Sequence, residues 1–312
     1  MRIRPFRRAD GPRFFELLRR EFPEEEAVLG MRPEGMEAIL RRLYRPDVRF
    51  MLGLARAFHR SPFHLYVAEE DGTIAGMVLL AFSQRAGFLS TLVVAPEFRR
   101  RGFARQLLET GRREAARRGR RYIALGVLAN NVPARALYEA VGYQPLEHQT
   151  FFVHDAPSVL GSAPSVRAIR PFRRSDARQL AAVANRTNPP QVLEVLPMRP
   201  RDLVAGRLSD RIFNAESQAW VVDLGHGPLA HVRASTSPVT EAAHLSAPIV
   251  DESVNPELAA DLVRTAGAWL APYRRPRIAT NAAEGNRRGR QALEAVGFHV
   301  AFEEFTLYQS TG

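Results

Sequence analysis

Residues 91–108 read TLVVAPEFRRRGFARQLL. Thr91-Leu92-Val93-Val94 is a short β-branched, apolar run, the signature of a buried strand. Ala95-Pro96-Glu97-Phe98 breaks it. Arg99, Arg100, Arg101, Gly102, Phe103 and Ala104 follow, and then a helical stretch, Arg105-Gln106-Leu107-Leu108-Glu109. The order is strand, basic turn with glycine, helix. A helix N-terminus presents unpaired backbone N–H groups and the positive end of the helix dipole. Glycine beside it admits close approach, and arginines add charge-assisted donors, so the stretch is suited to hold an anion such as phosphate. A basic turn leading into a surface helix is the plainer reading of the same residues.

A second segment removes that ambiguity. Asn131-Val132-Pro133-Ala134-Arg135-Ala136-Leu137-Tyr138-Glu139-Ala140-Val141-Gly142-Tyr143 places Ala134, Leu137, Tyr138 and Val141 on one helical face. Asn131 is a helix cap and Gly142 a helix stop. The two segments together resemble the GCN5-related N-acetyltransferase (GNAT) superfamily. Its acyl-CoA loop follows a strand as Arg or Gln, two variable residues, Gly, one variable residue, then Gly or Ala. Arg99-x-x-Gly102-x-Ala104 fits it, and the Asn131–Tyr143 segment fits the second signature at each defined position.

The resemblance implies an α/β (α+β) fold with a mixed, mostly antiparallel central sheet flanked by helices, and an N-acetyltransferase using acetyl-CoA. An amine of a small molecule or peptide would attack the thioester directly, through a tetrahedral intermediate. Loop amides from Arg99 to Arg105 (Arg99, Arg100, Arg101, Gly102, Phe103, Ala104, Arg105) would hold the pyrophosphate. Main-chain N–H groups of Leu92, Val93 and Val94 would meet the pantetheine and the thioester carbonyl, and Asn131 would contact the cofactor. Tyr138 matches the tyrosine that protonates the departing thiolate, a plausible transfer between groups of ordinary pKa about 10 and 8.5. Many relatives carry a catalytic Glu five residues before the Asn, where this chain has Gly126. The central strand offers Ser90 and Thr91 rather than a carboxylate. A water chain, Glu147 or His148 are the open alternatives for the base.

The chain of 312 residues also repeats itself. Ile3-Arg4-Pro5-Phe6-Arg7-Arg8-Ala9-Asp10 recurs as Ile169-Arg170-Pro171-Phe172-Arg173-Arg174-Ser175-Asp176, and Glu139-Ala140-Val141-Gly142-Tyr143 as Glu294-Ala295-Val296-Gly297-Phe298. Two tandem copies are therefore expected: residues 1–154 as the acetyl-CoA-binding domain, a turn-rich linker at 155–166, and a second domain at 167–312. In the first copy Asp10 is a candidate cap for a helix running to about Arg20, and a second helical region spans about Glu24 to Tyr44.

The second copy keeps the element order and loses the chemistry. His244–Val250 corresponds to Phe88–Val94, with Pro248 lacking one strand donor. The loop becomes Asp251-Glu252-Ser253-Val254-Asn255-Pro256-Glu257-Leu258, acidic and without glycine, and Leu293 stands for Tyr138. This half reads as degenerate and non-catalytic. Neither half shows a further strand after its last long one (Gln149–Val153 and Phe302–Tyr308), so exchange of those strands between the halves is open.

Composition bounds the rest. There are no cysteines, which removes disulfides, thiolate nucleophiles and cysteine-ligated zinc. The eight His show no metal spacing, and no metal is expected. Net charge is +11, carried by arginine alone. Residues up to 156 hold 26 Arg against 18 acids, and the remainder 18 against 15. No interleaved aromatics accompany the basic residues, so nucleic acid is not an expected partner. No apolar run reaches membrane-spanning length and the N-terminus is not a signal peptide, so a cytoplasmic monomer or homodimer is expected. Two other functions compete: an acyl-CoA-binding sensor or scaffold without turnover, and mycothiol-synthase-like chemistry in a tandem GNAT. The second places activity in the second half, against the degenerate loop here.

Overall fold

The computed structural model describes residues 1–21, 63–83, 85–155, 166–204, 215–238 and 240–312. The helical region expected at Glu24–Tyr44 and all but the ends of the linker fall outside them. The described residues divide into two compact units. One runs from the N-terminus through Glu147 and takes up Glu304–Gly312; the other takes His148–Glu303.

In the first unit the strands are β1 (Arg2–Pro5), β2 (Phe63–Glu70), β3 (Thr73–Phe82), β4 (Ala86–Val94) and β5 (Tyr122–Leu128). Neighbours are antiparallel except β4 and β5, which are parallel. Helix α1 (Gly11–Glu21) packs on one face, burying Leu17 against Val67, Met77, Val93 and Ala95. Helices α2 (Phe103–Arg117) and α3 (Val132–Ala140) share the other face, where Leu107, Leu108 and Tyr138 meet Leu80, Leu89, Leu125 and Val127. The period-2 alternation of each strand is what sends odd and even residues to these two cores.

The second unit repeats the plan. After β6 (Gln144–His154) come β7 (Ile169–Pro171), β8 (Glu216–Asp223), β9 (Pro228–Thr236), β10 (Ala243–Leu245), β11 (Ile249–Val250) and β12 (Ile278–Ala283). β7 to β10 are antiparallel in turn, β11 also pairs with β9, and β10 runs parallel to β12. Helix α4 (Ala177–Thr187) covers one face. Helices α7 (Pro256–Leu270) and α8 (Arg287–Ala295) cover the other, and α5 (Pro190–Val195) and α6 (Pro200–Leu203) are short.

The final strands are exchanged. β13 (His299–Ser310) lies antiparallel to β5, with Glu304↔Leu128, Thr306↔Gly126 and Ser310↔Tyr122 in register. The end of β6 pairs in turn with β12, from Ile278↔His154 to Ala283↔Gln149. The sequence-based boundaries at 154 and 167 follow chain order, whereas each compact unit takes its last strand from the other half. The exchanged end is fastened in the first unit: Gln309 donates to the Val141 carbonyl at 2.7 Å, and Thr311 donates to Arg121 and Arg120 carbonyls.

The repeated I-R-P-F-R-R-x-D sequence has one physical role in both units. Asp10 accepts from the Arg7 N–H at 2.6 Å and from Arg4 at 2.7 and 3.0 Å. Asp176 does the same with Arg173 and Arg170. Asp10 thus closes the 3-10 turn Arg8–Asp10 ahead of α1 and pairs with a buried Arg, a correction to its expected role as cap of the helix.

Candidate active site

The site is built where β4 parts from β5. Their parallel pairing runs from Ala86↔Tyr122 to Leu89↔Leu125 and stops. At that point the β3–β4 register shifts: Leu80 faces Leu89, Leu79 faces Thr91, and Ser90 is the extra residue. A bulge bends its strand and ends pairing locally, so β4 continues along β3 while leaving β5.

The pleat then fixes which amides face the opening. Ala95 N–H donates to the Ala75 carbonyl at 2.9 Å. In an antiparallel ladder, alternate residues bond the same neighbour. Thr91 and Val93 therefore bond β3, and Leu92 and Val94 point their backbone groups toward the opening. Of the three strand residues expected to meet acyl-CoA through N–H groups, Leu92 and Val94 are so placed, while the Val93 amide belongs to β3. The Val94 carbonyl is engaged by Arg99 Nε at 3.1 Å.

Next comes the basic loop. Arg100 and Gly102 both have left-handed backbone, φ +62° and +85°. Gly102 is the N-cap residue of α2 and supplies no capping side chain. The first-turn amides of α2 have no intrahelical acceptors, and the successive N–H groups of such a turn form an anion nest. A Cβ at Gly102 would meet nothing within 4 Å, so the requirement there is conformational. Phe98 and Phe103 meet edge-to-face at 5.7 Å beneath the loop. Phe103 is buried and Ala104 half-buried, so their contribution is backbone.

The arginines divide. Arg99 pairs with Glu21, and Arg101 pairs with Glu70 while lying over the Phe98 and Phe103 rings at 5.5 and 5.7 Å. These two brace the loop. Arg100 and Arg105 are exposed beside it. Asn131 caps α3 by accepting the Ala134 N–H at 3.2 Å, and is exposed.

Tyr138 is 7% exposed and tilted against Tyr143 at 6.0 Å. Burial pushes its hydroxyl up to about 12, so it stays protonated at neutral pH. The candidate bases named from sequence lie on β6: Glu147, half-buried, and His148, whose ring nitrogens lie 3.8 Å from Glu284 and 3.6 Å from Glu303 in the second unit. Sequence reasoning missed a third carboxylate. A Cβ built on Gly126 would collide with the Glu304 carboxyl group, at 2.5 Å from Cδ and 2.8 Å from Oε2. The pointer available in the sequence was an absence, a glycine at an expected carboxylate position.

A family model described as the acetyltransferase (GNAT) family matches residues 12–143. The family's general chemistry is acyl transfer from acetyl-CoA to amine acceptors. No curated protein matches the chain. Among solved structures, it is similar to a GCN5-related N-acetyltransferase from Sphaerobacter thermophilus, with TM-score 0.67, 15% identity, and 99% of this chain and 95% of that one covered. It is also similar to a tandem GNAT protein from the clavulanic acid biosynthesis pathway, solved without AcCoA, at TM-score 0.56, 17% identity, and coverage of 80% and 83%. At such identities the likeness is one of fold.

The same location in the second unit differs at each step. By register with β9, Pro248 takes the place of Leu92, so the donor aimed at the opening is missing. The Pro248 carbonyl instead accepts from the Asn286 side chain at 2.8 Å. A Cβ on Gly289, in the first turn of α8, would sit 2.6 Å from that carbonyl. The opening is thus bridged by the protein itself. The first turn of α7 is capped by Asn255, which accepts the Leu258 N–H at 2.8 Å. Asp251 pairs with Arg186 beside it.

Proposed function

We propose that the protein is an N-acetyltransferase that moves the acetyl group of acetyl-CoA to a small-molecule or peptide amine, with one active site in the first unit. The observation that carries this reading is the pairing of two donor sets that are unfilled among the described residues. Leu92 and Val94 face the opening between β4 and β5, and the uncapped N-terminus of α2 lies at the end of the same strand. Backbone amides Arg100–Arg105 suit the pyrophosphate, with the exposed Arg100 and Arg105 side chains adding charge. The Leu92 N–H is the donor for the thioester oxygen, and the Val94 amide pairs with the pantetheine arm. A fixed donor aimed at a developing oxyanion is worth roughly 3 kcal/mol.

The amine attacks the carbonyl carbon directly, and the tetrahedral intermediate collapses with loss of the thiolate. Tyr138 donates to that sulfur. A buried phenol held near 12 is a weak acid, but a thiolate leaving in the same dry site is raised too, and the transfer stays accessible. The second unit takes no part in acetyl-CoA binding, because Pro248, Asn286, Asn255 and the acidic loop each remove or fill what the first unit leaves open.

Calorimetric titration of acetyl-CoA into the whole chain tests this, followed by free-CoA release with a panel of primary amines. One site per chain with amine-dependent release is expected. Two sites would refute the assignment of the second unit, and binding without release would leave a sensor.

A further inference from the structure

We propose that Glu304 is the catalytic base for the amine, supplied by the exchanged final strand to the position that Gly126 leaves empty. This rests on the acetyltransferase reading above. Three observations lead to it. Gly126 lies on β5 one residue past Leu125, where the pairing to β4 has ended, so its face borders the opening. The Glu304 carboxyl group fills the volume that a side chain at Gly126 would need. β13 holds it there by its ladder with β5, in which Glu304 faces Leu128 and Thr306 faces Gly126.

The face is the right one. Ile123, Leu125, Val127 and Leu307 point into the core that contains Tyr138. By the two-residue alternation, Gly126, Leu128, Glu304 and Thr306 point to the opposite face. Acid and base therefore lie on opposite faces of the sheet. That suits a reaction in which the amine enters on one side and the sulfur departs on the other. Glu304 is half-buried.

The proton account closes. The amine arrives as an ammonium ion, and Glu304 takes one proton from it and returns it to solvent. The freed lone pair forms the C–N bond and the C–S bond breaks. The intermediate nitrogen loses a second proton to solvent, Tyr138 supplies one to the sulfur, and the Tyr138 phenolate takes one back from solvent. The products are the N-acetyl amine and CoA thiol, with one net proton released. A carboxylate serving as structural cross-strand filler would have no part in these steps, and the two roles differ in what substitution does.

The test uses the full chain. Acetyl-CoA affinity and free-CoA release, with mixed primary amines and in buffer alone, are measured for wild type, Glu304→Gln, and the relocated pair Glu304→Gly with Gly126→Glu. Gly126 lacks positive φ, and the three atoms nearest a Cβ built there all belong to Glu304. Glu304→Gln is expected to bind acetyl-CoA within about twofold of wild type and to release CoA roughly 100-fold more slowly, the usual scale for a lost general base. The relocated carboxylate is expected to recover release to within about tenfold of wild type. Wild-type release by Glu304→Gln would overturn the assignment, as would a relocated variant that binds normally but stays at the Glu304→Gln rate. Either result leaves the acetyltransferase reading standing. A wild-type chain that fails to bind acetyl-CoA, or binds it without releasing CoA, removes that reading and this role together.

Discussion

Gly102 separates backbone strain from charge more cleanly than any other residue of the loop, because a side chain there would touch nothing within 4 Å. Its φ of +85° means that any L-residue is strained, by roughly 1–2 kcal/mol. Gly102→Ala should thus lower stability by that amount and weaken acetyl-CoA binding by about tenfold at most, as the nest relaxes. Gly102→Glu carries the same strain and adds a negative charge at the helix N-terminus. Roughly 5 Å from a bound phosphate, with an effective dielectric constant between about 20 and 80, the repulsion per charge is ~1–3 kcal/mol. The Glu variant should therefore bind acetyl-CoA about 5- to 150-fold more weakly than the Ala variant. Both should unfold at similar temperatures. The assay is calorimetric titration at low and moderate salt, paired with thermal unfolding of each protein. The added loss should shrink with salt, because exposed charges are screened. If Gly102→Glu bound as tightly as Gly102→Ala, the pyrophosphate would not lie on this loop, and the reasoning would fail.

Three other outcomes follow from particular atoms. Leu92→Pro reproduces Pro248 at a position whose N–H does not bond β3, so the ladder survives; CoA release should fall by about 10²–10³ with acetyl-CoA still bound, and an unchanged rate would move the oxyanion donor elsewhere. Tyr138→Phe keeps the ring that packs the core and removes only the hydroxyl, so kcat should drop at least tenfold while acetyl-CoA affinity holds; equal kcat would exclude the acid role. His231 is 2% exposed with both ring nitrogens unpartnered, and burial lowers it from the usual 6.5 to about 4. The unfolded chain binds that proton first, so stability is full above about pH 6.5 and falls toward pH 4, by ~2 kcal/mol at pH 5. Urea midpoints at pH 7 and 5 check this, and His231→Leu should remove that part of the slope.

How much of this was legible beforehand depends on the range of the interaction. The left-handed turn at Arg100–Gly102, the Asn131 cap and the stripe that buries Tyr138 depend on residues within one or two turns, and these local features stand where the sequence places them. The differences in the second unit were also local, since a proline has no N–H and an Asn side chain caps whichever helix follows it. The fastening of Arg99 and Arg101 to Glu21 and Glu70 was not legible, because those partners come from other elements.

The amino-acid sequence by itself determined that two copies of one fold are present, that the first has a glycine turn ahead of a helix without a capping side chain, and that the second has a proline in its central strand and an Asn-capped helix. These follow from backbone geometry and hydrogen bonding between near neighbours. Only the tertiary structure decided which amides of β4 face the opening, because pleat parity is set by register with β3. It alone decided which strand completes each sheet. And it alone put the carboxyl group of Glu304 into the space above Gly126, since an antiparallel pairing of β13 with β5 is chosen by packing across the whole unit and leaves no mark in either segment.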